Sequence, residues 1–71
     1  VPLATAIDQA IAGRVAKARS AKRFTKSYVA GELGISYQAY KKLEDGNTAF
    51  TVHRLMRIAD LLGTELNQLI P

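Results

Sequence analysis

Two stretches of helical apolar spacing meet at Gly34 within the segment VAGELGISYQAYKKLEDG, and only about three residues, 34–36, separate them. A link that short, with glycine at the turn, holds two helices at a fixed, roughly perpendicular angle. Ala30 is small where a larger side chain would push the crossing helices apart, and Val29, Leu33, Ile35, Tyr40 and Leu43 can close one apolar cluster. The inward use of those residues leaves Tyr37, Gln38, Lys41 and Lys42 on the other side of the second helix. They fall there as Tyr37/Lys41 and Gln38/Lys42 pairs four residues apart. That side is either a solvated surface or a surface that reads something.

The rest of the chain obeys the same period. Its two prolines stand at residues 2 and 71, few stretches alternate with period two, and apolar residues recur at three and four. The pattern predicts five helices. The first starts near Thr5 as N-cap, with Asp8 favouring the positive helix end and Ile7, Ile11 and Val15 as its inner stripe. SAKRF then connects, and Phe24 is expected to enter the core. The second helix runs from Thr25 to about Leu33 and ends at Gly34, where positive φ carries no Cβ penalty. Ser36 caps a third helix ending around Asp45, with a break at Gly46 and Asn47. Thr51 caps a fourth, with Val52, Leu55, Ala59 and Leu62 on one face and Met56 in packing. Gly63 stops it, and Thr64 caps a short fifth carrying Leu66, Leu69 and Ile70. The expectation is a single all-α domain over residues 1–71.

Composition narrows the function classes. The 71 residues allow one small core, and the chain contains no cysteine, so disulfide frameworks and thiolate metal sites are out of reach. A cysteine-free, charge-mixed small chain fits a reducing cytoplasm. No apolar run approaches the ~20 residues of a membrane span, and the first residues lack the pattern of a signal peptide. His53 is the only histidine, and no acid pair, glycine-rich phosphate loop or nucleophile–base set accompanies it, so neither an enzyme, a metal site nor a cofactor is expected. The formal net charge is +4, and between Gln9 and Leu43 only Glu32 opposes Arg14, Lys17, Arg19, Lys22, Arg23, Lys26, Lys41 and Lys42. Such a stripe attracts polyanions, although helices also carry such charges as plain solvated surface.

The segment TKSYVAGELGISYQAYKKLEDG, with small Ala30, Gly34 at the turn and apolar Val29, Leu33, Ile35 and Leu43, resembles the helix-turn-helix of the phage repressor and Cro (XRE-type) family. Its LEDG close is similar to the family's usual Leu/Ile-Glu-Asn-Gly, and TVHRLMRIADLLGTELNQLI is similar to the family's fourth and fifth helices. The resemblance covers nearly the whole chain, with the motif at about residues 25–46. It implies a five-helix, lambda-repressor-like DNA-binding domain. Two positions depart from the pattern: Lys26 stands where glutamine is common, and Tyr40 where isoleucine or valine is usual.

What the resemblance implies for individual residues follows position by position. The third helix would enter the major groove of double-stranded DNA, with Tyr37, Gln38 and Lys42 as base readers. Glutamine suits adenine N6 and N7, lysine suits guanine O6 and N7, and Tyr37 suits a thymine methyl or a phosphate. Thr25, Lys26 and Ser27, at a helix N-terminus, would hold the backbone, as would Lys41 and a second clamp of Asn47, Thr48 and Thr51. That second clamp carries no basic residue and is expected to be weaker. Lys22, Arg23 and Tyr28 are further contributors or plain surface. Arg19 and Glu44 match a structural ion pair of related repressors. The family usually binds as a dimer, and helix five with Leu66 and Ile70, or the long first helix with Ile7 and Ile11, offers a homodimer surface. The implied function is a sequence-specific transcriptional regulator acting on a near-palindromic operator. The rival is an antitoxin-like or adaptor module gripping a protein partner such as a toxin or another regulator. Charge-driven, non-specific nucleic-acid binding is a third reading.

Overall fold

The computed structural model describes residues 5–71; Pro2 and the first residues of the predicted 1–71 domain lie outside the described residues. Five helices follow in order: α1 (Ala6–Ala21), α2 (Lys26–Leu33), α3 (Tyr37–Glu44), α4 (Val52–Leu62) and α5 (Leu66–Leu69). No strand occurs among the described residues, and the architecture is the all-α, five-helix one predicted.

Four of the helices begin where a hydroxyl meets a free amide. The side chains of Thr5, Thr25, Ser36 and Thr51 accept from the amides of Asp8, Tyr28, Ala39 and Arg54. Thr5, Ser36 and Thr51 are the caps predicted, whereas Thr25, expected as the first residue of its helix, stands one position before it as the cap. At α1 the arrangement is reciprocal, because the Thr5 amide also donates to Asp8 Oδ2 at 3.0 Å. Asp8 reaches further, accepting from the Phe50 amide at 3.4 Å, so the start of α1 holds the loop between α3 and α4. These bonds, led by the one from the Thr5 amide, keep the Asp8 carboxyl below its ordinary pKa.

Helix ends are equally local in origin. Gly34 ends α2 at φ 72°, which lets the Ile35 amide return to Ala30 O at 3.0 Å and turns the chain directly into α3. The same closure ends α1 without glycine: Arg23 takes φ 60° and the Phe24 amide reaches Arg19 O. This closure carries α1 through Ala21, beyond the Ser20 at which the sequence reading placed the connection.

The core draws on every helix. Val15 of α1, Val29 and Ala30 of α2, Tyr40 and Leu43 of α3, Leu55, Ile58 and Leu62 of α4, and Leu69 of α5 are all buried, with Phe24, Leu33 and Ile35 packed at its margin. Four expectations need correction. Ile7 is 62% exposed, because burial on α1 begins a turn later at Ile11. Val52 and Met56, at 65% and 54% exposed, lie on the flank of α4 beside the buried stripe of Leu55, Ile58, Ala59 and Leu62. Thr64 does not cap α5. Its amide closes the end of α4 on Ala59 O, its hydroxyl donates to Gln68 Oε1, and Glu65 occupies the N-cap position.

Gly46 and Gly34 make a controlled comparison. Both have positive φ, 77° and 72°, but a Cβ at Gly46 would meet Gln9 Cγ at 3.0 Å and Gln9 Cα at 3.4 Å, whereas one at Gly34 meets nothing within 4 Å. Gly34→Ala is therefore expected to lose only the left-handed backbone cost, about 1–2 kcal/mol. Gly46→Ala is expected to lose more, because the Gln9 side chain must also give by a few tenths of an ångström. Urea unfolding of the two variants measures the difference.

Candidate nucleic-acid interface

The third helix is amphipathic in the plainest sense. Tyr40 and Leu43 are buried, while Tyr37, Gln38, Lys41 and Lys42 are exposed. Its inner face is held by a polar bolt. Glu44, with a side chain only 2% exposed, accepts from Arg19 Nε at 2.6 Å on Oε2 and from Arg19 Nη2 at 3.1 Å on Oε1. Tyr40 donates its hydroxyl to the same Oε2, and Arg19 Nη1 donates to Phe24 O at 2.6 Å. One arginine of α1 thus fixes both the end of α3 and the entry to α2. The bond from Glu44 holds the Arg19 pKa above its ordinary value against the cost of burial. Burial, then the bond to Glu44, pushes the Tyr40 hydroxyl up. The expected ion pair is present, and Tyr40 is a core residue with its hydroxyl satisfied.

Of the residues expected to touch DNA, Gln38, Lys42, Thr48 and Thr51 come together on one cleft of about 410 Å³ between α3 and the start of α4. Asn47 is exposed on the loop beside it, while Tyr37 and Lys41 stand on α3 outside the cleft lining. Thr25, Lys26 and Ser27 form the separate N-terminus of α2, with Thr25 Oγ1 occupied by the Tyr28 amide at 3.0 Å. Tyr28 stays exposed, its ring tilted on Phe24 at 4.8 Å between centroids. Lys41 is less available than its exposure suggests: its ammonium pairs with Asp45 Oδ2 at 2.9 Å. That bond, with Lys26 adding its charge, keeps the Asp45 carboxyl below its ordinary value. The four-residue spacing of Lys41 and Asp45 carried this signal.

The basic stripe is dispersed over the fold. Arg14 and Lys17 line a cleft between α1 and α5, with Arg14 Nη1 donating to Gln68 O at 3.3 Å. Arg19 belongs to the bolt, and the Lys22 ammonium lies beside Gly63. Sequence reasoning missed Arg54, which lines the α3–α4 cleft from the first turn of α4. Its distance of three residues from the Thr51 cap was the available signal. His53 is exposed, and among the described residues no three His, Asp or Glu side chains converge as metal ligands. No helix among the described residues is long and apolar enough to cross a membrane.

Comparison with known proteins gives this geometry its relatives. The chain is 39% identical over 56 residues to the transcriptional repressor RstR of the cryptic phage CTXphi from Vibrio cholerae serotype O1. The match takes in 79% of this chain and 50% of the repressor, so the chain spans about half the length of that curated relative. Among solved structures, apo-HppE superposes with a TM-score of 0.84 at 26% identity, over 92% of this chain and 36% of that one. The restriction-modification controller protein C.AhdI from Aeromonas hydrophila shares the fold with a TM-score of 0.84 at 20% identity, over 93% of this chain and the whole of that one. The model of the Helix-turn-helix family matches residues 15–69, which takes in the bolt, α2 through α5 and the cleft. With most of its length inside that match, the chain belongs to the helix-turn-helix family.

Proposed function

We propose that this chain is the DNA-reading unit of a sequence-specific transcriptional regulator. The observation that carries the reading is the division of α3. Its inner face is locked to α1 by Arg19, Glu44 and Tyr40, and its outer face presents Tyr37, Gln38 and Lys42. A helix fixed on one side and polar on the other is what major-groove recognition requires. Tyr37, Gln38 and Lys42 read base edges. Thr25, Lys26 and Ser27 at the α2 N-terminus, together with Lys41, Asn47, Thr48 and Thr51, hold the phosphate backbone. The similarity to a phage transcriptional repressor supports the same reading. A regulator of this kind binds as a homodimer on two half-sites one helical turn apart and acts in the cytoplasm, by binding and not by catalysis. Exposed Val52 and Met56, one turn apart on α4, favour a protein contact as well, either that second copy or, for an antitoxin-like or adaptor module, a toxin or another regulator.

Paired variants separate reading from holding. Gln38→Ala is expected to relax preference at one base pair by about 1–3 kcal/mol while leaving other positions unchanged. Lys26→Ala is expected to weaken all sequences alike and reduce the salt slope by about one. Fluorescence anisotropy on matched duplexes across a salt series measures both. Identical behaviour of the two variants would refute the division of roles.

A further inference from the structure

The α3–α4 cleft is equipped with a charge that its threonines do not advertise. Its charged lining residues are Lys42 and Arg54, and no carboxylate lines it. Among the described residues the other arginines are accounted for. Arg14 donates to Gln68 O, Arg19 to Glu44 and Phe24 O, Arg57 to Glu32 O, and Arg23 is exposed to water. Arg54 is only half-buried as a residue, yet its Nη1 is shut off from solvent and has no hydrogen-bond partner. A guanidinium stays charged at all working pH, so a buried unpaired nitrogen on it is a destabilising feature unless an anion completes it.

We propose that Arg54 is a phosphodiester-binding residue, and that the α3–α4 cleft closes around one backbone phosphate of bound DNA. This inference rests on the DNA-binding reading above and deepens it. The guanidinium fork matches two phosphate oxygens, and seating a phosphate requires the side chain to turn Nη1 out of its covered position. Thr51 assists without giving up its cap: its Oγ1 accepts from the Arg54 amide at 3.1 Å, which leaves the hydroxyl proton for the phosphate. Lys42, a base reader on α3, lines the same cleft and adds its positive charge to it. The clamp around Thr48 and Thr51, expected from its own segment to be weak, thus takes its charge from within α4. Because Gln38 lines the same cleft, a phosphate seated there fixes the register of α3 against the bases.

The test compares the intact chain with Arg54→Met and Arg54→Gln. Affinity is measured on a selected site and on a mixed-sequence duplex over a salt series, and the melting temperature is measured without DNA. Both variants are expected to bind both duplexes about tenfold more weakly, with the salt slope reduced by about one phosphate contact. The Met variant is expected to melt at or above the original temperature, since it removes an unpaired buried donor. The Gln variant keeps length and polarity without charge, and gives the slope should the Met variant fold poorly. An unchanged slope in the variant that folds, or a loss confined to the selected site, would overturn the proposal. If the original chain binds neither duplex, the DNA-binding reading itself fails; binding by the original chain that is unaltered by either substitution defeats only the role of Arg54.

Discussion

Arg19→Ala is expected to cost about 3–5 kcal/mol of folding stability, because it leaves the buried Glu44 carboxylate without its compensating charge. The Glu44 side chain is 2% exposed and that of Arg19 14%, so water cannot replace the lost donors. The substitution also releases Phe24 O, which Arg19 Nη1 holds at the entry to α2. For 71 residues the whole stability is about 4–10 kcal/mol at roughly 0.05–0.15 per residue, so this single change removes a large part of it. Chemical unfolding of the variant gives the number directly. An Arg19→Ala chain with an unchanged melting temperature would show that the pair contributes nothing. DNA binding by whatever fraction remains folded should keep its sequence preference, since Arg19 touches no part of the outer face of α3.

Tyr40→Ala is expected to cost about 3–5 kcal/mol, the range for removing a large buried aromatic side chain. Tyr40 is fully buried and among the largest side chains so enclosed. Tyr40→Phe separates packing from polarity: it preserves the ring and loses only the hydroxyl bond to Glu44. Its expected cost is about 1.5 kcal/mol, at the lower end for a bond to a charged acceptor, because Arg19 still serves the same oxygen. Arg19→Ala and Tyr40→Phe share one carboxylate, so their effects should not add, and a double-mutant cycle reads the coupling. High pH provides an independent check. The Tyr40 pKa is raised in the folded state, so its contribution is intact below the ordinary value of 10.0 and is lost as pH rises beyond it. Tyr40→Phe should lack that part of the alkaline loss.

Local chemistry was legible in the sequence. Thr5, Ser36 and Thr51 were readable as caps because the bond each makes closes within three residues. Gly34 was readable as a turn because its backbone conformation penalises any side chain. The division of α3 followed from period alone. The Arg19–Glu44 pair did not: the two residues lie 25 positions apart, and only the likeness to repressors brought them together. Ile7 was misplaced because period identifies a stripe but not how far the partner helices extend along it. Val52 and Met56 were misplaced because period does not fix how wide the buried stripe is. Arg54 was overlooked for a related reason. One position on a helix does not reveal that the fold will bury one of its nitrogens without a partner while the residue lines a cleft.

Selection from a pool of random duplexes at physiological salt tests the central claim, that the outer face of α3 reads sequence. Enrichment of a near-palindromic site, with half-sites one helical turn apart, is the predicted result. Uniform weak binding that disappears as salt rises, or no binding to any duplex, would contradict it.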